Sequence, residues 1–254
     1  MPEARGPTGG AGAYGRFADV YDLVWRDAPY DRFVDLATEA AAVAGAPGGL
    51  VVVAACGTAS AALELGRRGR RVTAFDLSPA MLARAAAKRR AAGLPVGLVL
   101  GDLRAVPLRD GAADLVLALN TSLNYLLTPA LTPAEVTVAL SELGRLTGPR
   151  GVVVVEPLSA RYLHDNDGRR RRLRREGLDL VAEYELRGDL LVERLRWTLD
   201  GVAERDRYVQ RYYDDDELKA LVAGAGLHVL EQRPMWPAIH QDAARGRTLW
   251  VVGR

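Results

Sequence analysis

A short turn of small residues and an aspartate further along the chain have the types and spacing of a ribose-binding site. The turn is Ala55-Cys56-Gly57-Thr58, and Asp76 follows Gly57 by 19 positions. Small residues at a strand-to-helix turn let backbone amides approach a ligand closely at a helix N-terminus. A carboxylate about 20 residues later can accept hydrogen bonds from both hydroxyls of a ribose. The pair predicts a cofactor site, although each feature alone is equally consistent with a simple turn and a helix cap.

The elements that must hold this turn and this aspartate alternate along the chain. Short apolar runs, typical of strands buried in a parallel sheet, lie at residues 50–55, 71–76, 96–100, 114–119 and 152–156. Helical patterns between them lie at residues 58–68, 79–92 and 133–146. Two further strands are predicted near 227–232 and 248–252. This β-α repetition predicts an α/β fold with a mostly parallel, seven-stranded open sheet.

The alternation stops after Pro157. Residues 178–186, 190–199 and 202–212 have strand character and are joined by Arg187-Gly188-Asp189 and Asp200-Gly201, which suit hairpin turns. We therefore expect an antiparallel three-strand insert over residues 178–212. Residues 1–13 are rich in Gly, Pro and Ala and are expected to be flexible, and residues 14–254 are expected to form one domain.

Bulk composition narrows the class of protein. The 254 residues are 49% hydrophobic, enough for a sizeable core, and a net charge of +2 gives no reason to expect nucleic-acid binding. Cys56 is the single cysteine and cannot form an internal disulfide, which indicates a reducing compartment. There is no apolar run of about 20 residues and no signal-peptide pattern, so we expect a cytoplasmic protein without a membrane span. The histidines lack metal-ligand spacing, so no metal is expected.

Five motifs in order resemble those of the class I S-adenosylmethionine-dependent methyltransferases. They are ACGT at 55–58, VTAFDLSPAML at 72–82, GDLR at 101–104, DLV followed by NTSLNYL within 114–126, and GVVVVEP at 151–157. YGRFADVYD at 14–22 and YYDDDEL at 212–218 are also similar to family landmarks. The resemblance covers roughly residues 14–157 and 212–254. It implies the Rossmann-like fold of that family, with S-adenosylmethionine as cofactor and S-adenosylhomocysteine as product.

The resemblance also implies roles for individual residues. Gly57, with Ala55 and Cys56, lies against the methionine part of the cofactor. Asp76 holds the ribose, and Asp102 accepts a hydrogen bond from the adenine amino group. The remaining cofactor contacts that it implies are Leu77, Met81 and Leu103 around the adenine end, Asn120 near the sulfonium, and Tyr14 and Tyr21 on N-terminal lid helices within residues 14–45.

The first motif departs from the family pattern. The family has an acidic residue where this chain has Val53, and the three small positions, usually glycines, are Ala55, Gly57 and Ala59. A valine cannot anchor the ammonium group of the methionine part. The departure leaves three possibilities open: weak affinity, replacement of the acid by another residue, or a cofactor site that no longer supports turnover.

The acceptor is expected to be a small molecule, because the antiparallel insert and the N-terminal helices resemble small-molecule and sugar amine methyltransferases. Residues just after the fourth and fifth strands face the reacting methyl group in this fold. We therefore take Tyr125 as a candidate catalytic residue that orients the nucleophile or accepts its proton, with simple packing as the alternative. His240 is a second candidate for the same role, because the final loop in which it lies can reach the same end of the sheet. Glu156 has a similar position, with capping of its strand as the alternative.

Three other functions are weighed. A non-methylating descendant would bind the cofactor structurally or catalyse a cyclisation or rearrangement. An RNA or protein methyltransferase would use the six arginines within 168–175 for docking, although such a run is more often a solvated helix face or loop. A nicotinamide-dependent oxidoreductase is disfavoured, because the Gly-x-Gly-x-x-Gly turn is absent. We therefore do not expect nucleic acid as a partner, and we leave a homodimer open.

Overall fold

The computed structural model describes residues 14–125, 133–235 and 247–254. The described helices are α1 Tyr21–Val24, α2 Tyr30–Val43, α3 Ser60–Arg67, α4 Pro79–Ala92, α5 Ala134–Leu146, α6 Ala160–Asn166 and α7 Asp215–Gly224, with 3-10 helices at Arg16–Asp19 and Ser122–Tyr125. The described strands are β1 Leu50–Ala54, β2 Arg71–Asp76, β3 Gly97–Leu100, β4 Ala113–Ala118, β5 Thr147–Val155, β6 Arg170–Arg175, β7 Leu178–Arg187, β8 Leu190–Leu199, β9 Val202–Arg211, β10 His228–Pro234 and β11 Thr248–Gly253.

Seven of the described strands form one mostly parallel sheet, as predicted. Their order is β10-β11-β5-β4-β1-β2-β3, and β11 runs antiparallel to both of its neighbours. The register pairs Ala54 with Phe75 and Asp76 with Leu100, so β1, β2 and β3 end at the same edge of the sheet. This edge carries the residues that the sequence motifs single out. The predicted Rossmann-like α/β fold is confirmed.

The apolar strand residues divide between two cores, one on each face of the sheet. Val51 and Val53 of β1 pack with α2 and α3, whereas Val52 and Ala54 pack with α5 and α7. This alternation explains why β1 is apolar at every position: a strand at the centre of a parallel sheet is buried on both faces. Among the described residues, no helix is both long and apolar enough to cross a membrane.

Helix α4 begins and ends where its sequence signals place it. The Ser78 side chain accepts a hydrogen bond from the Met81 amide at 3.4 Å, and Pro79 occupies the first turn. Gly93 ends the helix in a left-handed conformation with φ of 63°. The N-terminus of α4 therefore lies directly after Asp76, at the edge of the sheet that carries the motifs.

The antiparallel insert has four strands rather than three. The described sheet has the order β6-β7-β8-β9, and the arginine run forms its edge strand β6. The interpretation of this run as a helix face or loop is therefore wrong. Leu173 faces the core between β7 and the N-terminal segment, while Arg172 and Arg174 on the other face pair with Asp179 of β7. Charged side chains also protect a sheet edge against pairing with another chain.

Candidate active site

A cavity opens at the carboxyl ends of β1, β2 and β4. Twelve of the thirteen predicted site residues line it: Tyr14, Tyr21, Ala55, Cys56, Gly57, Asp76, Leu77, Met81, Asp102, Leu103, Asn120 and Tyr125. The thirteenth, His240, lies outside the described residues. The structure thus brings together side chains that are up to 111 positions apart in the sequence, from Tyr14 to Tyr125. Their individual roles remain predictions.

The turn after β1 keeps a glycine-like backbone although two of its small residues are alanines. Ala55, Gly57 and Ala59 have φ of 47°, 53° and 64°. A residue with a Cβ in this left-handed region costs about 1–2 kcal/mol relative to ordinary helical backbone. The turn is closed by a hydrogen bond of 2.8 Å from the Ala59 amide to the Cys56 carbonyl. The backbone therefore has the shape that glycines normally provide, and the two alanines hold it under strain.

Asp76 joins this turn to the start of α4. One carboxylate oxygen accepts the Gly57 amide at 2.7 Å, and the other accepts the Ser78 amide at 2.9 Å. Burial raises the pKa of Asp76 above its ordinary value, and these backbone hydrogen bonds act in the opposite direction. A carboxylate has about four acceptor positions, so two remain for a pair of ligand hydroxyls. The geometry suits a ribose contact.

The Asp102 carboxylate is already hydrogen-bonded to Arg104, a residue to which the sequence motifs gave no role. The Arg104 side chain donates to both Asp102 oxygens, at 2.9 and 2.6 Å, and also to Glu135 at 2.9 Å. The hydrogen bond from Arg104 is the main reason that the pKa of Asp102 lies below its ordinary value. Arg104 also lines the cavity. An adenine amino group bound at Asp102 therefore shares its acceptor with a guanidinium.

Val53 occupies the position where the family has an acid, and it packs in the apolar core of the sheet. Val53 is buried and lines the cavity together with Thr58 and Ser60. Lys88 of α4 donates to Ser60 at 2.9 Å, to Thr58 at 3.1 Å and to Asp22 at 2.7 Å. The sequence analysis missed Lys88, which gave no signal beyond a basic residue in a helix. Hydroxyls and an ammonium thus lie beside the first motif, with Asp22 already engaged.

The backbone bend after β4 is strained, and Glu156, which directly follows β5, holds it in place. Asn120 and Thr121 both have φ of 56°. The fully buried Glu156 accepts the Asn120 amide at 3.0 Å on its side chain and the Thr121 amide at 3.1 Å on its carbonyl. Arg247 forms an ion pair with the same carboxylate. Glu156 is therefore occupied in holding Asn120 at the cavity wall, which agrees with the structural alternative for this residue.

Aromatic rings close the cavity beyond Asn120. Tyr14 stacks on Tyr208 of β9 with centroids 4.6 Å apart, and Tyr125 lies edge-on to both rings at 6.3 and 6.4 Å. Burial raises the pKa of Tyr125 well above 10, and electrostatic repulsion from Tyr14 and Glu193 raises this pKa further. The Tyr125 hydroxyl is therefore protonated at neutral pH. It can donate a hydrogen bond that orients a nucleophile, but it is a poor proton acceptor.

The N-terminal segment covers the cavity and is attached on two sides. Phe17 and Val20 pack against the antiparallel sheet, where Trp197 meets Phe17 edge-on at 6.2 Å. On the other side, Asp19 and Asp22 form ion pairs with Arg84 and Lys88 of α4. The cover is thus held between the insert and α4.

Comparison with known proteins agrees with this geometry. Residues 51–151 match the family model described as a methyltransferase domain. A demethylmenaquinone methyltransferase of Thermus thermophilus is 37% identical over 136 residues, which are 53% of this chain and 54% of that protein. The chain spans about half the length of the curated relatives it matches.

Solved structures match over nearly the whole chain. A S-adenosylmethionine-dependent methyltransferase from Clostridium acetobutylicum has a TM-score of 0.78 at 20% identity, covering 94% of this chain and 98% of that one. The amino pentose methyltransferase CalS10 from Micromonospora echinaspora has a TM-score of 0.73 at 24% identity, covering 92% and 96%. At these identities the likeness is one of fold. It extends through the antiparallel sheet as well as the parallel one.

Proposed function

We propose that this chain, which contains a methyltransferase domain and has the fold of the class I S-adenosylmethionine-dependent methyltransferases, transfers a methyl group to an oxygen, nitrogen or carbon atom of a small molecule. The observation that carries the proposal is the turn 55–59, held in a left-handed backbone and joined to Asp76 at the mouth of the cavity. S-adenosylmethionine is the cofactor, and it supplies an electrophilic methyl group on a positively charged sulfur.

The residues that line the cavity fit the parts of this cofactor. Gly57 allows close approach of a ligand at the turn, because it has no Cβ and has a φ of 53°, which favours glycine. Asp76 has acceptor positions for the two ribose hydroxyls. Asp102, with Leu103, holds the adenine. Thr58 and Ser60 line the cavity and offer hydroxyls for the charged methionine end, where Val53 offers nothing.

The protein's part in the reaction is positioning. In-line displacement needs the accepting atom about 3 Å from the methyl carbon with its lone pair aligned, and such alignment supplies most of the acceleration. Asn120 and Tyr125 stand after β4 to orient the two reactants. Tyr14 and Tyr21 cover the cavity and exclude water, which preserves the hydrogen bonds made inside it.

The size of the acceptor follows from what covers the cavity. The N-terminal segment and the antiparallel sheet close the side of the cavity beyond Asn120, which favours a small molecule over a folded macromolecule. Four of the five arginines of β6 form ion pairs within the described structure: Arg170 with Glu183, Arg172 and Arg174 with Asp179, and Arg175 with Asp27, while Arg171 donates a hydrogen bond to Asn166. They therefore offer little free charge to a nucleic-acid phosphate.

A non-methylating role is the second candidate, and the buried Val53 is the observation that favours it. If Val53 and Ala59 mark a lost activity, the double substitution Val53→Asp with Ala59→Gly should tighten cofactor binding. If the wild-type protein already binds at low micromolar concentration, the same change should have little effect.

Calorimetric titration tests the proposal. S-adenosylmethionine and S-adenosylhomocysteine should bind with one site per chain, and NAD⁺ should not bind. Formation of S-adenosylhomocysteine in the presence of a mixture of small amines, phenols and alcohols then separates turnover from binding. Binding without turnover in any mixture would favour the non-methylating role, and absence of binding would remove the cofactor assignment.

A further inference from the structure

The most deeply buried ion pair among the described residues joins Glu156 and Arg247. Their side chains are 0% and 12% exposed, and neither is among the described residues that line the cavity. Removing two charges from water often costs as much free energy as their attraction returns, so a buried pair is weak evidence for a role in stability. Both members contact Asn120, which does line the cavity. The pair therefore stands where it can act on the site through Asn120.

Arg247 is held in place on several sides. Its guanidinium forms the ion pair with Glu156 and lies 5.3 Å from the ring centroid of Phe33 in α2. Its backbone carbonyl accepts a hydrogen bond of 2.9 Å from the Met235 amide. These contacts leave the arginine side chain little freedom, so its donors stay at a fixed point beside Asn120.

This fixed donor determines which way the Asn120 side chain is turned. The guanidinium of Arg247 donates to the Asn120 Oδ1 atom at 3.3 Å. Arginine has donors and no acceptor, so the amide atom that faces it is the oxygen. The NH2 group is the other polar end of the same side chain, and no residue in the described segments accepts a hydrogen bond from it. Asn120 therefore offers the cavity a donor.

The order of the strands indicates which part of the cofactor meets this donor. Along the edge of the sheet, Asp102 follows β3, Asp76 ends β2, the turn 55–59 follows β1, and Asn120 follows β4. The cofactor carries its adenine, its ribose and its sulfonium in that order. With adenine at Asp102 and ribose at Asp76, the sulfonium falls between the turn 55–59 and Asn120.

We propose that Arg247 is a positioning residue: together with Glu156, it turns the Asn120 amide so that the NH2 group, and not the oxygen, faces the sulfonium. This inference rests on the proposed methyl transfer, and it adds a residue to the same site. Arg247 acts through Asn120 and does not itself touch the reactants.

This orientation favours the reaction because of how charge moves during methyl transfer. The hydrogen end of the amide dipole repels a positively charged sulfur. A lone pair of the acceptor forms the new bond to the methyl carbon, the methyl–sulfur bond breaks, and its electron pair stays on sulfur, which becomes neutral. The repulsion therefore falls as the reaction proceeds. An interaction that is less unfavourable in the transition state than in the ground state lowers the barrier.

The affinities for S-adenosylmethionine and S-adenosylhomocysteine test the inference, because the two ligands differ by the methyl group and the positive charge on sulfur. Calorimetry measures both affinities. Arg247→Met removes the donor, so the Asn120 oxygen can turn towards the sulfonium. The affinity for S-adenosylmethionine relative to S-adenosylhomocysteine should rise by about three- to tenfold, the worth of one hydrogen bond. Arg247→Lys, which keeps a donor for the oxygen, should stay close to wild type.

Asn120→Gly separates the amide from the charges of Arg247 and Glu156. Glycine adopts the φ of 56° at this position without strain and removes the amide. Asn120→Gly alone should raise the affinity ratio by about two- to threefold, because the repulsion is lost. In this background Arg247→Met should cause no further change. Arg233→Met is the control, because Arg233 forms an ion pair with Glu231 and does not line the cavity in the described structure. It should leave the ratio unchanged.

The outcomes separate the two proposals. If neither ligand binds to the wild-type protein, the proposed function fails. If both bind, a rise from Arg247→Met that is equal with and without the Asn120 amide, or no rise in either background, overturns the inference while the proposed function stands. If Arg247→Met does not fold, Asn120→Gly decides: a raised ratio supports the orientation of the amide, and an unchanged ratio overturns it.

Discussion

The cofactor end and the acceptor end of the cavity are built by different means. At the cofactor end, the turn 55–59, Asp76 and Asp102 follow three strands that neighbour one another in the sheet, in one continuous stretch of the chain. At the acceptor end, Tyr125 follows β4, whereas Tyr14 and Tyr208 come from the N-terminal segment and the antiparallel sheet. The first arrangement depends on local backbone geometry, and the second depends on how distant segments pack.

This difference leads to an expectation for function. Changes at the cofactor end should act mainly on affinity for S-adenosylhomocysteine, because we propose that the groups there bind the cofactor. Changes at the acceptor end should act mainly on turnover or acceptor choice. Each of the following substitutions tests whether the two ends are independent in this way.

The largest effect is expected from Asp76→Ala. Loss of hydrogen bonds from a charged acceptor to the ribose should weaken S-adenosylhomocysteine binding by about 1.5–3 kcal/mol, or about ten- to 150-fold. The substitution also removes the acceptor of the Gly57 and Ser78 amides, so the melting temperature should fall. Calorimetry and thermal unfolding measure the two effects. A folded variant with unchanged affinity would remove Asp76 from the site.

The cofactor end was predictable because parallel strands that neighbour one another end at one edge of a sheet. Small residues after β1 and an aspartate after β2 therefore had to meet, whatever the rest of the chain did. Arg104 carried a usable signal, since it stands two positions after Asp102 in the same motif. Lys88 carried none, because it reaches Ser60 and Asp22 only after the N-terminal segment has folded against α4.

The acceptor end was less predictable because its residues meet through the packing of distant segments. Tyr208 belongs to β9 and reaches this end only because its ring stacks on Tyr14 of the N-terminal segment. The arginine run was misread for a related reason. Only one apolar residue, Leu173, indicates its inward face, and the strand forms because β7 offers an edge to pair with.

A smaller loss of affinity is expected from Asp102→Ala. The carboxylate is shared with Arg104, so an adenine amino group gains less from it than the ribose gains from Asp76. We expect S-adenosylhomocysteine to bind about 0.5–1.5 kcal/mol more weakly, or about two- to tenfold. Glu135→Gln is the control, because Glu135 is the other partner of Arg104 and does not line the cavity. An equal loss in both variants would indicate that the arginine cluster, rather than Asp102, determines affinity.

Tyr125→Phe should separate turnover from affinity. The substitution removes one hydroxyl donor from the acceptor end, and a single hydrogen bond is worth about 1 kcal/mol, so kcat should fall by about fivefold. Affinity for S-adenosylhomocysteine should stay within twofold of wild type. We predict the same separation for His240→Ala. Tyr212→Phe, outside the cavity lining, should change neither quantity. Full activity in both Tyr125→Phe and His240→Ala would leave acceptor orientation to other groups.

The smallest effect is expected from Ala59→Gly, and its difference from a matched glycine variant tests whether the first turn is strained. Ala59 has φ of 64°, where a glycine avoids about 1–2 kcal/mol of steric cost. The glycine also gives the unfolded chain more freedom, worth about 0.5–1 kcal/mol, and loses a buried methyl group, worth about 0.8 kcal/mol. The net change in stability should therefore lie within about 1 kcal/mol of zero. Ala62→Gly, three residues later inside α3, gains no such relief and should destabilise by about 1 kcal/mol plus the loss of a buried methyl group.

The chemical change is identical in the two glycine variants. The difference between their free energies of unfolding, measured with denaturant, therefore reports the backbone strain at Ala59. We expect Ala59→Gly to unfold at a midpoint close to that of wild type and Ala62→Gly at a clearly lower one. Cofactor affinity of Ala59→Gly should be equal to or slightly higher than that of wild type, since glycine keeps the turn in its left-handed conformation beside the cavity. Equal destabilisation by both variants would mean that Ala59 carries no strain, and the cofactor end would then be as dependent on side-chain packing as the acceptor end.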